Sequence, residues 1–193
     1  METWDAIASR RNVREFGPAP VEAEDLERIL EAGRRSPSAS NSQPWDFILV
    51  TDAEDRVALA GVWRGAWHVA NAPAVVAVIA PSDKVGATLH FDLGQATMAM
   101  MIAAADLGLG TAHASVSDQD LARRILGFPE GRFCSNLFSI GYPADGPLVP
   151  VKRLKRRAFD DVVHRGGWGT KMSKEPSLMG PQAASRIKNR VEE

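Results

Sequence analysis

The sequence is short of most of the groups from which reactive sites are commonly built. One cysteine, Cys134, stands among 193 residues. That excludes an internal disulfide framework and a thiolate metal site within one chain, and it fits a reducing compartment; taken alone, Cys134 reads as a small buried hydrophobe. Charge of one sign is also lacking: 23 basic residues face 24 acidic ones for a net charge of −1. No global field therefore draws nucleic acid or an anionic membrane, and any anion site has to be a local cluster. Long apolar runs are absent, because Asp, Gly or Gln interrupts each before it reaches membrane-span length. The opening "METWDAIASRRNVREF" has no apolar centre of the kind a secretion signal needs, so the expected location is the cytoplasm.

Catalytic motifs are missing as well. No Gly-x-x-x-x-Gly-Lys-Ser/Thr loop occurs, and the one dinucleotide-like start, Gly108-Leu109-Gly110, meets His113 where a third glycine is needed. No serine sits in a Gly-x-Ser-x-Gly elbow. The four histidines, His68, His90, His113 and His164, have no metal-ligand spacing.

What is present suits one core. At 45% hydrophobic, the chain is long enough to bury a single α/β domain and too short for two. A short opening helix is expected over "TWDAIASRR", with Thr3 as cap and arginines in its last turn. "VEAEDLERILEAGRR" carries Leu26, Ile29 and Leu30 on one stripe, acids in the first turn and Arg34-Arg35 in the last, which predicts a second helix. "WDFILVT" reads as a strand and "EDRVALAGVWRGAWHVAN" as one helix with Trp63 and Trp67 a turn apart. "PAVVAVIA" reads as a strand covered on both faces. "FDLGQATMAMMIAAADLGLG" predicts a helix apolar nearly all round, hence central or packed on another subunit. "TAHASV", "SDQDLARRILG" and "CSNLFSIGYP" predict strand, helix and strand. The alternation places the chain in the α/β or α+β class.

The chemistry-bearing material is hydrogen-bond donors rather than nucleophiles. Arg10, Arg11 and Arg14, at helical spacing, can converge on one dianion. A second basic group, "KRLKRRAFDD", follows the last strand. Between helix and strand, "RRSPSASNSQPWDF" packs more small polar residues than a turn requires. A site rich in donors and poor in acid–base pairs suits a bound cofactor that performs the reaction.

Taken in order, "RRNVREF", "SPSASNSQPWDF", "LGLGT", "SIGYP" and "KRRAFDDVV" resemble the FMN-dependent nitroreductase family over roughly residues 4–168. The resemblance implies an α+β, nitroreductase-like α/β sandwich with a mostly antiparallel central sheet flanked by helices. It implies an intertwined homodimer with FMN at the subunit interface, NADH or NADPH as donor, and a nitroaromatic, quinone or enone as small-molecule acceptor. Nucleic acid and membrane are not expected partners. Residue by residue, Arg10, Arg11 and Asn12 match positions that hold the FMN phosphate and ribityl chain, with Asn12 where the family often has Ser. Arg14 matches a basic position at the pyrimidine edge. Pro37, Ser38, Ala39 and Asn41, with Gln43 nearby, match the loop that the partner lays on the flavin. Ser115 and Val116 match backbone positions facing N5, where His113 is unusual, and Lys155 and Arg157 match a late basic pair returning to the phosphate. No side chain is expected to be catalytic and no metal is implied. Trp63, Trp67 and His68 are candidates for a roof that the short chain otherwise lacks. The FMN-binding domain is expected over 1–168 and a tail that wraps the partner over 169–193. Rival readings are a specialised relative (a reductive dehalogenase, a ring dehydrogenase, a flavin-fragmenting or a deazaflavin-linked enzyme) and a non-catalytic flavin-binding protein.

Overall fold

The run that reads as a doubly covered strand forms the centre of the molecule. In the computed structural model, which describes residues 1–152 and 155–172, β2 (Ala74–Pro81) lies between β1 (Asp46–Val50) and β4 (Arg132–Gly141), with β3 (Gly110–Ser115) beyond β4. All three pairings are antiparallel. Alternation along β2 divides the core in two. Ala74, Val76, Val78 and Ala80 pack with Leu26 and Ile29 of α2 (Ala23–Arg34) and with Leu93, Ala96 and Met100 of α5 (Ala87–Asp106). Val75, Ala77 and Ile79 face the other way, toward Leu59 of α3 (Ala53–Leu59), Val69 of α4 (His68–Asn71) and Ala122 of α6 (Gln119–Leu126). Helices therefore cover both faces of an antiparallel sheet, which is the expected α+β sandwich. Each large apolar side chain so buried contributes about 1.5–3 kcal/mol relative to exposure.

Local signals set the ends of these elements. Asp52 caps α3 by accepting from the N–H groups of Glu54 and Asp55. Asp118 caps α6 through the Leu121 N–H, and Gly127 closes that helix in the left-handed conformation. Gly33 lets α2 approach α5, since a Cβ there would lie 2.7 Å from the Met100 sulfur.

Two expectations need correction. The opening helix, α1 (Thr3–Ser9), ends before the arginines, and Glu2 rather than Thr3 precedes it. The segment expected as one helix over "EDRVALAGVWRGAWHVAN" is three pieces: α3, a 3-10 turn at Ala60–Val62 and α4. Trp63 between them is extended, and its ring covers Gly65, where any side chain would collide with it. Of the two alternatives for α5, burial all round within one chain is not what the structure has: Phe91 is 67% exposed and Met98 43%.

The chain divides into two compact units, Met1–Val151 and Lys152–Glu193. In the second, a 3-10 turn at Phe159–Asp161 precedes a bridge between His164 and Lys171, and the His164 ring lies 4.6 Å from that of Trp168. Residues 173–193 of the expected tail lie outside the described residues. No helix among the described residues is long and apolar enough to cross a membrane.

Candidate functional site at the edge of the sheet

Because α1 stops at Ser9, the basic segment is not helical. Arg10 is extended, although its N–H still reaches the Ala6 carbonyl. Asn12 forms a parallel bridge with Thr111, and the Val13 N–H donates to the Thr111 carbonyl at 2.9 Å. The Val13 side chain is buried with Ala105 and Leu148. Gly110 makes that approach possible, since a Cβ there would sit 2.5 Å from a Val13 methyl. With Arg10 extended and Asn12 bridged to Thr111, Arg10, Arg11 and Arg14 do not lie on successive turns of a helix, so the helical spacing expected of them is not the geometry they have. Among the described residues neither Arg10 nor Arg14 has a carboxylate partner. Arg11 does: it reaches Asp145 at 2.5 Å, both side chains being partly exposed. The hydrogen bond from Arg11 holds the Asp145 carboxyl below the ordinary carboxylate range.

Beside this segment runs β3, the last strand of the sheet order. Thr111 offers its outward carbonyl to Val13. By the alternation of an antiparallel ladder, the next outward backbone groups on β3 belong to His113 and Ser115. Among the described residues no strand pairs with them. Val116 follows, its carbonyl accepting from the Gln119 amide at 3.1 Å. The neighbouring turn is fixed by the Val62 carbonyl, which accepts from the N–H groups of Ser117 and Asp118 and from the Ser117 hydroxyl. Just inside, His68 is 1% exposed and its Nδ1 lies 2.8 Å from the Ser139 hydroxyl. Burial first, and then the nearby Arg14 charge, push its pKa down to about 4, so the ring is neutral. His68 is thus a core group and not a roof residue. Trp67 remains half exposed and Trp63 packs against the core on the α6 side.

The polar loop lies elsewhere. Ser36 is buried and bonds the Ala32 carbonyl, and Trp45 is buried and stacked on Phe47, so both ends are fixed. Between them Pro37, Ser38, Ala39, Asn41 and Gln43 are wholly or partly exposed. Ser40, Asn41 and Gln43 adopt φ of 51°, 54° and 45°, and each such non-glycine residue costs on the order of 1 kcal/mol or more. The Ser38 hydroxyl accepts from the Gln43 N–H at 2.9 Å, and the Ala39 N–H donates to the Asp92 carboxylate at 3.0 Å. Asp92 was missed by the sequence reading. Its signal was an acid set into the buried stripe of α5 between Leu89 and Leu93. The arginines preceding the loop are not free cations, because Arg34 and Arg35 both bond Glu31 and lower its pKa to about 2.

The arginine segment and the loop are not brought together within one chain. Val13 packs at Ala105, near the end of α5, whereas Ala39 is tied to Asp92 near its start. Thirteen residues at 1.5 Å each separate these points by roughly 20 Å of helix. Lys155 and Arg157 belong to the second unit, where Arg157 donates to the Asp161 carbonyl at 2.7 Å. A cleft of about 410 Å³ lined by Thr51, Arg56 and Asn71 includes none of the expected site residues.

This is an α+β protein with helices on both faces of an antiparallel sheet and a basic segment bridged to the edge strand β3. The nitroreductase family model matches residues 7–85 and 68–142. An Archaeoglobus fulgidus protein assigned as an NADH dehydrogenase/NAD(P)H nitroreductase is 30% identical over 176 residues, 86% of this chain and 99% of that one. An iodotyrosine deiodinase of Haliscomenobacter hydrossis is 24% identical over 84% of this chain and 89% of its own length. Among solved structures, an FMN-dependent nitroreductase of Clostridium difficile superposes with a TM-score of 0.74 at 24% identity, covering 84% of this chain and 99% of that one. The chain belongs to the nitroreductase family and is an oxidoreductase.

Proposed function

We propose that the chain is an FMN-dependent reductase that oxidises NADH or NADPH and reduces a nitroaromatic, quinone or enone, working as a homodimer with composite sites. The observation that carries this reading is the cationic segment bridged to β3, beside backbone of that strand that no other strand among the described residues pairs with. The donor set fits the cofactor. Arg10 and Arg11 hold the phosphate, with Asn12 at the ribityl chain and Arg14 at the pyrimidine edge, where a cation favours negative charge on reduction. Backbone groups around Ser115 and Val116 face the N5 side, the Val116 carbonyl itself being held by Gln119. Pro37, Ser38, Ala39, Asn41 and Gln43 come from the partner, a reading supported by the roughly 20 Å of helix between them and the arginines of their own chain, and Lys155 and Arg157 return to the phosphate. When bound, FMN supplies two-electron acceptance and donation at N5; the side chains bind, orient and exclude water.

The test is the visible spectrum of the purified protein, followed by anaerobic addition of NADH or NADPH and then of each acceptor class. Bleaching by a pyridine nucleotide and recolouring by an acceptor are expected. A colourless protein that FMN cannot reconstitute overturns the reading. Similarity to a deiodinase supports a second reading, reductive dehalogenation of a halogenated phenol. It is distinguished by halide release from chemically reduced holoenzyme that pyridine nucleotides fail to bleach.

A further inference from the structure

Asp92 is a carboxylate where a helix stripe needs an apolar side chain. It is 3% exposed, between Leu89 and Leu93 on the face of α5 that builds the core. A buried carboxylate is costly unless hydrogen bonds or a cation compensate it. No ion pair among the described residues includes Asp92. Its Oδ2 accepts from the Ala39 N–H at 3.0 Å, and its Oδ1 is 3.4 Å from the Gln95 amide nitrogen. The short contact, and the charge that strengthens it, go to one backbone amide of the polar loop.

That amide immediately precedes the strained stretch at Ser40, Asn41 and Gln43. The loop has its own internal bonds: Asn41 N–H to the Ser38 carbonyl, Ser42 N–H to the Ala39 carbonyl, Gln43 N–H to the Ser38 hydroxyl and the Gln43 amide to the Asn41 carbonyl. These bonds fix the loop's shape, and the buried Ser36 and Trp45 fix its two ends. The Asp92 contact holds what lies between, because it joins the middle of the loop to α5. The neighbouring residue on that helix, Phe91, is exposed, so loop and exposed helix face are referenced to one rigid element.

We propose that Asp92 is a positioning residue: its buried carboxylate latches the left-handed loop to α5 and so aims Ser38, Asn41 and Gln43 at the neighbouring copy's cofactor. The latch follows from the hydrogen bond and the backbone; its link to the cofactor rests on the function proposed above.

The experiment combines amide hydrogen exchange with FMN titration of the purified apo-protein, for the wild type, Asp92→Asn and Asp92→Ala. In the wild type the Ala39 amide is expected to be the most protected between residues 37 and 43. In Asp92→Ala that protection is lost and the FMN Kd rises about tenfold or more. Asp92→Asn, which keeps an acceptor oxygen without the charge, recovers part of both effects. Fast exchange at Ala39 in the wild type overturns the latch without any variant, which covers the case in which Asp92→Ala fails to fold. Unchanged loop protection in Asp92→Ala overturns it equally. If the wild type binds no FMN but Asp92→Ala still releases the loop, the latch stands and the flavin reading falls.

Discussion

Arg11 illustrates how one side chain can be read two ways and how magnitude separates them. Its pair with Asp145 is partly exposed, and such pairs contribute about 0–1 kcal/mol. A charge-assisted bond to a phosphate contributes roughly 1.5–3 kcal/mol, about a tenfold to a hundredfold change in Kd. Arg11→Ala is therefore expected to leave the melting temperature nearly unchanged while FMN affinity falls by at least about tenfold, read by fluorescence titration. Asp145→Asn, which leaves the guanidinium in place and removes its competitor, is expected not to weaken binding. Unchanged affinity in Arg11→Ala removes the phosphate assignment. His68 carries a different residue-scale consequence. Its folded pKa of about 4 lies below the ordinary 6.5, so between those values the unfolded chain binds a proton that the native state refuses. Stability is then full above about pH 6.5 and declines as pH falls toward 4, by up to about 3 kcal/mol. His68→Gln keeps a hydrogen-bonding head near Ser139 without titrating in this range. Urea unfolding at a series of pH values should show a flatter slope for the variant than for the wild type.

At the scale of elements, close approaches decide where the cationic segment sits. Gly110 and Val13 leave no room for another carbon, since a Cβ would meet the Val13 side chain at 2.5–2.9 Å. Gly110→Ala is expected to cost about 1–3 kcal/mol through overpacking and to displace the Asn12–Thr111 bridge, weakening FMN binding with it. Adding Val13→Ala should restore much of both, a non-additive pair measurable by denaturation and titration. These approaches also mark the limit of what the sequence disclosed. The stripe of α2, the apolar run of β2 and the capped α6 were legible because each carries a period or a cap. The break between α3 and α4 was not, because the spacing of Trp63 and Trp67 suits a helix and only the packing of the Trp63 ring on Gly65 shows why the chain extends there. The arginines stand out in the sequence by their spacing, but the helical geometry that spacing suggests is not formed; α1 ends at Ser9 as its successors pair with β3 instead. Asp92 was not legible, because an acid within an apolar helix carries no sign of its partner, which lies 53 positions away in the chain.

In the proposed reading each chain carries two half-sites, and among the described residues an apolar face is exposed between them. The arginine segment and the polar loop sit at opposite ends of α5. Phe91 and Met98 on that helix are exposed, as are Trp4 and Ile7 on α1, which packs against it. A second copy covering this face, related by a two-fold axis, would set each chain's loop against the other's arginines. Glutamates at both Phe91 and Met98 are expected to give a monomer by light scattering and to abolish FMN binding in the same step. Subunit complementation is the sharper measurement, because it depends on which chain supplies each half. Arg11→Ala lacks the phosphate half, and a Ser38→Ala/Asn41→Ala variant lacks the loop half. Each alone should bind FMN poorly. After random reassortment half the dimers are mixed, and in a composite arrangement one of the two sites in each mixed dimer takes both halves from unaltered segments, restoring about a quarter of all sites. If both halves came from one chain, no mixed dimer would contain an intact site. FMN titration of the reassorted mixture therefore separates the two arrangements: recovery toward a quarter supports the composite site, and no recovery despite mixed dimers overturns it.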